Sequence, residues 1–532
     1  MNPTLRHTAL IRDRSTDTYE QQAHKLVTSV ANDAWGDVRP STYETARVAS
    51  WTPWLEGHER RLAWLLEQQC LTGSWGEGPA PYRLLPTLSV VEALLSTLHN
   101  DTATGLTRER LAAAAADGLA ALRDLSRAGG WPDTAAIEIL VPELILLIDE
   151  HLDQPEIASL SRLGPWARGQ RLTLPREFHA ALPERVAERC RAAGGVPAKL
   201  HHTFEGVARR LPQVVPAVPG GLLGSSPAAT AAWLATGANT GREHAITALT
   251  GVAKRYDGLF PEATPISVFE RLWVAAALAR PGLPETCLGV VRAWAAEIYD
   301  RAGVRGAPGL LPDADDTAMA VLVAALAGSP RDPAPLSAFE GDDHYDCYVG
   351  EDTGSITANA HVLQALTAWF RHQATPGDTL QARMNLTRDW LLSQQHPSGY
   401  WGDKWHASPY YATERCVTAF SECTSLANRD AVRSAADWVL STQRDDGSWG
   451  VWDGTAEETA YAVNILLRTP DKSGRPEVAQ ALERAEHILR EAAHSSGHRH
   501  PALWHDKTLY APQAMAQAEV TAALELLQAH RL

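Results

Sequence analysis

Apolar residues recur about every 3.6 positions through most of the chain. The pattern is clear over Ala112–Leu125, Ala135–Glu150, Pro227–Ala235 and Val268–Ala279, and each run predicts a helix with one buried face. Alternating, strand-like runs are scarce, so the expected fold class is all-α. Proline and glycine interrupt the helical pattern at Pro212–Pro227, Pro281–Pro284, Gly303–Pro312 and Gly328–Pro335. Of these breaks, Pro281–Pro284 is the expected domain boundary.

A repeat is superimposed on the helices. Trp64-Leu-Leu-Glu-Gln-Gln69 leads to Gly73-Ser-Trp75-Gly76, Trp390 to Gln395 leads to Gly399-Tyr-Trp401-Gly402, and Trp438 to Gln443 leads to Gly447-Ser-Trp449-Gly450. A fainter copy ends at Gly130-Trp131. Each copy predicts a helix end, a glycine that permits a positive φ, and a tryptophan folding back. The glutamine amide would cap nearby backbone or the next helix. Apolar helical runs follow at Leu84–Leu98, Tyr410–Phe420 and Glu457–Leu467, so the units are expected to stack on their neighbours. Repeats on both sides of Pro281–Pro284 predict two related helical domains.

Composition narrows the classes. The repeats account for many of the 18 Trp, an excess over 7 Phe, and make them structural staples. A net charge of −15 argues against a nucleic-acid partner. The N-terminal run is polar, and the most apolar stretch, Ala135–Ile148, is too short to span a bilayer and contains Glu138 and Glu143. A cytoplasmic protein with no stable membrane insertion is expected. The six cysteines show no zinc-site spacing and read as reduced thiols.

The chemistry concentrates at Asp313, Asp315 and Asp316, immediately before the apolar helical run Thr317–Leu326. Carboxyls gathered beside a buried face share protons and raise one another's pKa. A carboxylic acid kept protonated near neutrality suits a reaction begun by protonation. The same position also suits N-capping by Asp313 or Asp316, and the residues alone leave both readings open.

Asp-x-Asp-Asp-Thr-Ala, together with these repeats, resembles the class II terpene cyclases, most closely bacterial diterpene cyclases of the copalyl diphosphate synthase type. Ser41-Thr-Tyr43-Glu44-Thr45-Ala46, Arg83-Leu-Leu-Pro-Thr-Leu88, His202-Thr-Phe-Glu205-Gly206, Ser226-Pro-Ala-Ala-Thr-Ala231 and Asp403-Lys404-Trp405-His406 extend the likeness over most of the chain. The resemblance implies two α/α-barrels: a β domain from residues 1–36 and 282–532, and a γ domain from 37–281 inserted into it. It also implies an apolar cavity between them and protonation-initiated cyclisation of geranylgeranyl diphosphate to a bicyclic copalyl-type diphosphate, the ent form leading. The diphosphate is retained, and a class I terpene synthase would act downstream.

The same resemblance makes Asp315 the general acid. Asn359 and His361 are candidates to orient it. His202 aligns with the histidine of a His-Asn pair that holds a water in plant relatives, and Asp257 stands where the asparagine would be. Glu77 falls in a magnesium-associated acidic run, making Mg2+ the implied cofactor. Arg83, Lys404, Lys507 and Tyr510 are the substrate-binding candidates. Trp273, Trp369, Tyr348 and Tyr410 are candidate aromatic walls able to face a cation.

Rival readings are a squalene–hopene-like, drimenyl or other class II cyclase, an α/α-barrel glycosidase, and a non-catalytic helical scaffold. Asp342-Asp343-His344-Tyr345-Asp346 imitates the Asp-Asp-x-x-Asp motif of class I terpene synthases, but the second metal motif of that class is missing from the sequence.

Overall fold

The computed structural model describes residues 17–100, 105–211, 221–237, 240–351, 353–372, 378–422, 426–470, 472–494 and 499–531. The polar N-terminal run and Cys423 lie outside them. Six helices pack in a closed ring: Ser267–Ala279, Ala314–Leu326, Ile356–Phe370, Pro409–Glu422, Ala456–Leu467 and Gln513–Arg531. Outside them lie Tyr19–Asn32, Glu285–Ile298, Asp378–Ser393, Leu426–Ser441 and Pro476–His494, with the short 3-10 turn Ala334–Phe339 between two of the inner helices. The inner helices are apolar on most faces. In Ala314–Leu326, all but Asp315 and Leu326 are buried. The outer ones carry a single stripe, as in Val478, Ala481, Leu482, Ala485, Leu489 and Ala492.

A second, smaller ring is built from Thr42–Trp51, Ala80–Asn100, Ile137–Leu152, the short Phe204–Gly206 turn and Pro227–Ala235. His58–Glu67, Arg108–Leu125, Leu182–Ala192 and Arg242–Arg255 pack outside it. The boundary differs from the expectation at residue 281. The Ser267–Ala279 helix packs against Gln513–Arg531, Ala314–Leu326 and Tyr19–Asn32, so it belongs to the larger ring. Pro281–Pro284 separates an inner helix from its own outer partner, and the chain crosses between rings ahead of Ser267.

The three strong repeats share one geometry. The Gln69 amide donates to the carbonyls of Gly73 and Ala114, Gln395 to Gly399 and Ala431, and Gln443 to Gly447 and Ala481. Each glutamine thus ties its own turn to the next outer helix. The indole N–H of Trp75, Trp401 and Trp449 donates back to Leu65, Leu391 and Val439. At Gly399, φ is 103°, and a Cβ would lie 2.3 Å from the Ser434 carbonyl oxygen, so only glycine fits. The faint copy does not share this arrangement: Trp131 is only partly buried and donates to Glu177.

One β-hairpin interrupts the helices. Trp504–His505 pairs antiparallel with Leu509–Tyr510, and its turn reaches into the smaller ring. There Lys507 is fully enclosed, donating to Glu44, Glu205 and Ser226. Thr508 donates to Glu262 through both its backbone N–H and its hydroxyl. Among the described residues, no helix is long and apolar enough to cross a membrane. Cys70, Cys190, Cys287, Cys347 and Cys416 are free thiols.

Candidate active site

Asp313 is the N-cap of the Ala314–Leu326 helix, its carboxylate accepting from the Asp316 N–H at 2.7 Å. Thr317 donates to the Asp313 carbonyl and accepts from the Val304 N–H, fixing the loop that enters the helix. Burial pushes the Asp313 carboxyl well above the usual range, and the neighbouring Asp316 carboxylate adds to this. Burial likewise pushes Asp316 up to about 7. Asp313 and Asp316 therefore hold their protons more tightly than free carboxyls do. Of the three carboxyls, Asp313 caps the helix and Asp315 faces a histidine.

That histidine is His361. Its Nδ1 lies 2.6 Å from Asp315 Oδ1. His361 projects from the Ile356–Phe370 helix, whose N-terminal Ile356 and Thr357 N–H groups donate to the Asp403 carboxylate. Its ring is fully buried, edge-on to Trp273 at 5.3 Å, and its Nε2 has no hydrogen-bond partner among the described residues. Trp273 in turn donates to the Tyr411 hydroxyl at 2.8 Å. The contact fixes one oxygen of Asp315 on the cavity wall, a geometry that suits an oriented proton donor.

Asp313, Asp315 and Asp316 line a cavity of about 610 Å³ between the two rings, a volume typical of small-molecule sites. Its apolar wall includes Ile139, Phe269, Trp273, Tyr348, Tyr411 and Trp504. Phe269 and Trp273 lie 4.3 Å apart, and Trp504 meets Phe269 edge-on. Of the aromatic candidates, Trp273 and Tyr348 face the cavity. Trp369 packs on the core of the larger ring and Tyr410 on Trp438, and neither lines it. Tyr411, one residue on, takes the wall position.

The remaining candidates divide. His202, Lys404 and Tyr510 line the cavity. Lys404 pairs with Glu351 at 2.9 Å and donates to the Thr353 carbonyl, while Lys199 approaches Glu351 from the other ring at 4.0 Å. Lys199 is more than half exposed and marks the side on which the cavity meets solvent.

Five candidates lie elsewhere. Asn359 does not touch the acids; it braces Tyr345 and Ser355 through backbone hydrogen bonds. Asp257 is 83% exposed and pairs with Arg60, because its positive-φ turn points it to the surface. Arg83 donates to the Gly78 carbonyl and staples its own loop. Lys507 is consumed by the buried carboxylates described above. Glu77 is half-exposed, pairs with Arg39 at 3.1 Å and accepts from the Ala502 N–H.

Glu77 brings no cage of protein ligands for magnesium with it. A hard dication needs several oxygen ligands, and among the described residues there is no group of three His, Cys, Asp or Glu side chains able to hold a metal. The class I look-alike is also elsewhere: His344 stacks on Trp390 and pairs with Asp343, away from the cavity.

One residue the sequence reasoning missed is Asp506, which lines the cavity and pairs with His202 at 2.7 Å. Its place in Trp504-His-Asp506-Lys507 was the available signal, but only the hairpin turn brings it to the histidine.

Paired α-rings enclosing an apolar cavity, with an Asp-x-Asp-Asp acid oriented by a buried histidine, define a class II terpene cyclase. Comparison with known proteins agrees. Residues 346–479 match the model of the squalene-hopene cyclase C-terminal domain. A copalyl diphosphate synthase from Streptomyces cyslabdanicus is 75% identical over all of both chains. A labda-7,13-dienyl diphosphate synthase from Streptomyces clavuligerus is 47% identical, covering 95% of this chain and 92% of that one. The solved ent-copalyl diphosphate synthase from Streptomyces platensis superposes with a TM-score of 0.88 at 40% identity, covering 96% of this chain and 99% of that one. The chain belongs to the bacterial class II diterpene cyclases of the copalyl diphosphate synthase type.

Proposed function

We propose that the protein cyclises geranylgeranyl diphosphate to copalyl diphosphate with the diphosphate retained, and that Asp315 is the acid that starts the reaction. The observation that carries this is the Asp315–His361 pair on the wall of an apolar cavity, in a chain so similar to copalyl diphosphate synthases. His361 holds one carboxyl oxygen. The other delivers its proton to the terminal alkene of the substrate, whose π electrons form the new C–H bond. The tertiary cation left behind is attacked by the next alkene, and a second closure completes the bicycle. Trp273, Phe269 and Tyr411 offer ring faces to these cations while presenting no strong nucleophile. An enclosed apolar wall keeps water from capturing them.

Lys404 and Lys199 are the cations placed to meet the diphosphate, with Glu351 holding them in the free protein. Magnesium, in this reading, arrives with the substrate's diphosphate, and no step depends on a protein carboxylate cage. The resemblance put the ent form first, although Asp257 departs from the asparagine of the plant ent-forming pair. Asp257 lies on the surface, so the proposal is copalyl diphosphate without a stereochemical prefix. A class I terpene synthase that ionises the retained diphosphate is the partner this product chemistry calls for, and the cytoplasm is the proposed compartment.

Incubation with geranylgeranyl diphosphate, farnesyl diphosphate and squalene, followed by dephosphorylation, mass spectrometry, NMR and chiral chromatography, tests the reading. A single bicyclic C20 alcohol is expected. Turnover of squalene alone would overturn it.

A further inference from the structure

We propose that His505 is a positioning residue for substrate binding: bonded to Tyr82 of the smaller ring and to the Lys404 backbone of the larger, it fixes where Lys404 stands to meet the diphosphate. This rests on the head-group role given to Lys404 and Lys199 above and extends it to the contact between the rings.

The two lysines come from different rings. Lys199 precedes the Phe204–Gly206 turn of the smaller ring, and Lys404 lies between the Asp378–Ser393 and Pro409–Glu422 helices of the larger. Both line the cavity and both face Glu351. A head group held by the pair needs the rings in fixed register, because binding groups misplaced by about 1 Å no longer act together.

His505 supplies a bond on each side. Its Nδ1 lies 2.8 Å from the Lys404 carbonyl oxygen, which only accepts, so Nδ1 carries a hydrogen. Its backbone N–H donates to the next carbonyl, that of Trp405, at 2.9 Å. Two donors from one residue thus hold two successive peptides. Lys404 then extends over the Trp405 ring to Glu351 and the Thr353 carbonyl. On the other edge of the imidazole, Nε2 lies 2.9 Å from the Tyr82 hydroxyl. Tyr82 stands in the first turn of the Ala80–Asn100 helix and packs edge-on against Trp452 of the larger ring.

The protonation states match this string. Burial pushes His505 down to about 4, so the ring is neutral near pH 7. With its hydrogen on Nδ1, Nε2 offers a lone pair and Tyr82 donates to it. Burial pushes the Tyr82 phenol up to about 12, so it keeps that hydrogen. His505 lines the cavity, yet both ring nitrogens are engaged by protein. That leaves it placement rather than proton transfer.

The test is steady-state kinetics with geranylgeranyl diphosphate, alongside competitive inhibition by inorganic diphosphate at fixed magnesium, which reads the head-group site without the reaction. Each purified variant is checked for folding by circular dichroism and thermal melting. His505→Leu should raise KM and the inhibition constant together by about tenfold, the loss expected for broken hydrogen bonds, with kcat within about twofold. His505→Asn, whose amide N–H stands in for the Nδ1 hydrogen, should restore most of both. Tyr82→Phe should raise both by about fivefold. In a Lys404→Gln background, His505→Leu should add little more, since the two act as one unit.

A folded His505→Leu with both constants unchanged overturns the proposal. So does a fall in kcat with neither constant raised, an Asn variant no better than the Leu one, or a full further rise in the Lys404→Gln background. If His505→Leu does not fold, Tyr82→Phe decides, and unchanged constants there overturn the proposal. Lys404→Gln alone tests the underlying reading. An inhibition constant unmoved in that variant sinks the head-group role and this proposal with it, whereas one that rises there but not in His505→Leu sinks this proposal alone.

Discussion

His361 Nδ1 stands 2.6 Å from Asp315 Oδ1, a hydrogen-bond contact that joins the acids of the Ala314–Leu326 helix to the helix packed beside them. Replacing Asp315 by Asn removes the proton source while keeping the shape. We expect turnover of geranylgeranyl diphosphate to fall by at least about 1000-fold. His361→Asn should lower kcat by about 100-fold with little change in KM, since the imidazole orients the acid and lies off the cavity surface. Steady-state kinetics separates the two effects.

Burial pushes the Asp316 carboxyl up to about 7. A carboxyl whose folded pKa is raised binds more protons folded than unfolded. Its stabilising contribution is full below the unfolded value and is lost as pH rises toward 7. Asp316→Asn should therefore raise Tm by a few degrees at pH 8 and by less at pH 5. Melting curves at the two values check this, and an equal shift at both would contradict it.

Lys507 is the buried cation between Glu44 and Glu205. Lys507→Met leaves those carboxyls without it, at a cost of about 3–5 kcal/mol. Glu44, pushed up to about 8 by burial even with the lysine present, takes up a proton first. The double variant Lys507→Met with Glu44→Gln should recover part of the loss in chemical denaturation.

The repeat glutamines make a milder prediction. Gln395→Ala removes two hydrogen bonds and leaves the Gly399 and Ala431 carbonyls short of a donor. A loss of about 1–3 kcal/mol is expected in urea unfolding, with kcat unaltered in the surviving folded protein.

Glu77 faces Arg39 and the Ala502 backbone. Glu77→Gln should alter the magnesium dependence of turnover by less than about twofold. A large rise in the magnesium concentration required would restore the role first expected from its sequence context.

The helices, the three stapling turns and the acid cluster were legible along the chain because each depends on local spacing. A period of 3.6 builds a helix wherever it occurs. Gln, Gly and Trp at set intervals make the same turn at Gly73, Gly399 and Gly447. Asp313, Asp315 and Asp316 fall in one helical turn by covalent proximity alone. Position in space was not legible in the same way. Lys404 and Lys507 looked alike as basic residues, yet one lines the cavity and the other is buried among carboxylates. Asp257 looked like the partner of His202, but its turn points it to solvent, and Asp506, 304 residues along the chain from His202, takes the place. A carboxylate's role depends on which charges and which cavity it meets. Those are set when a hairpin from one ring enters the other, a contact that no local pattern encodes.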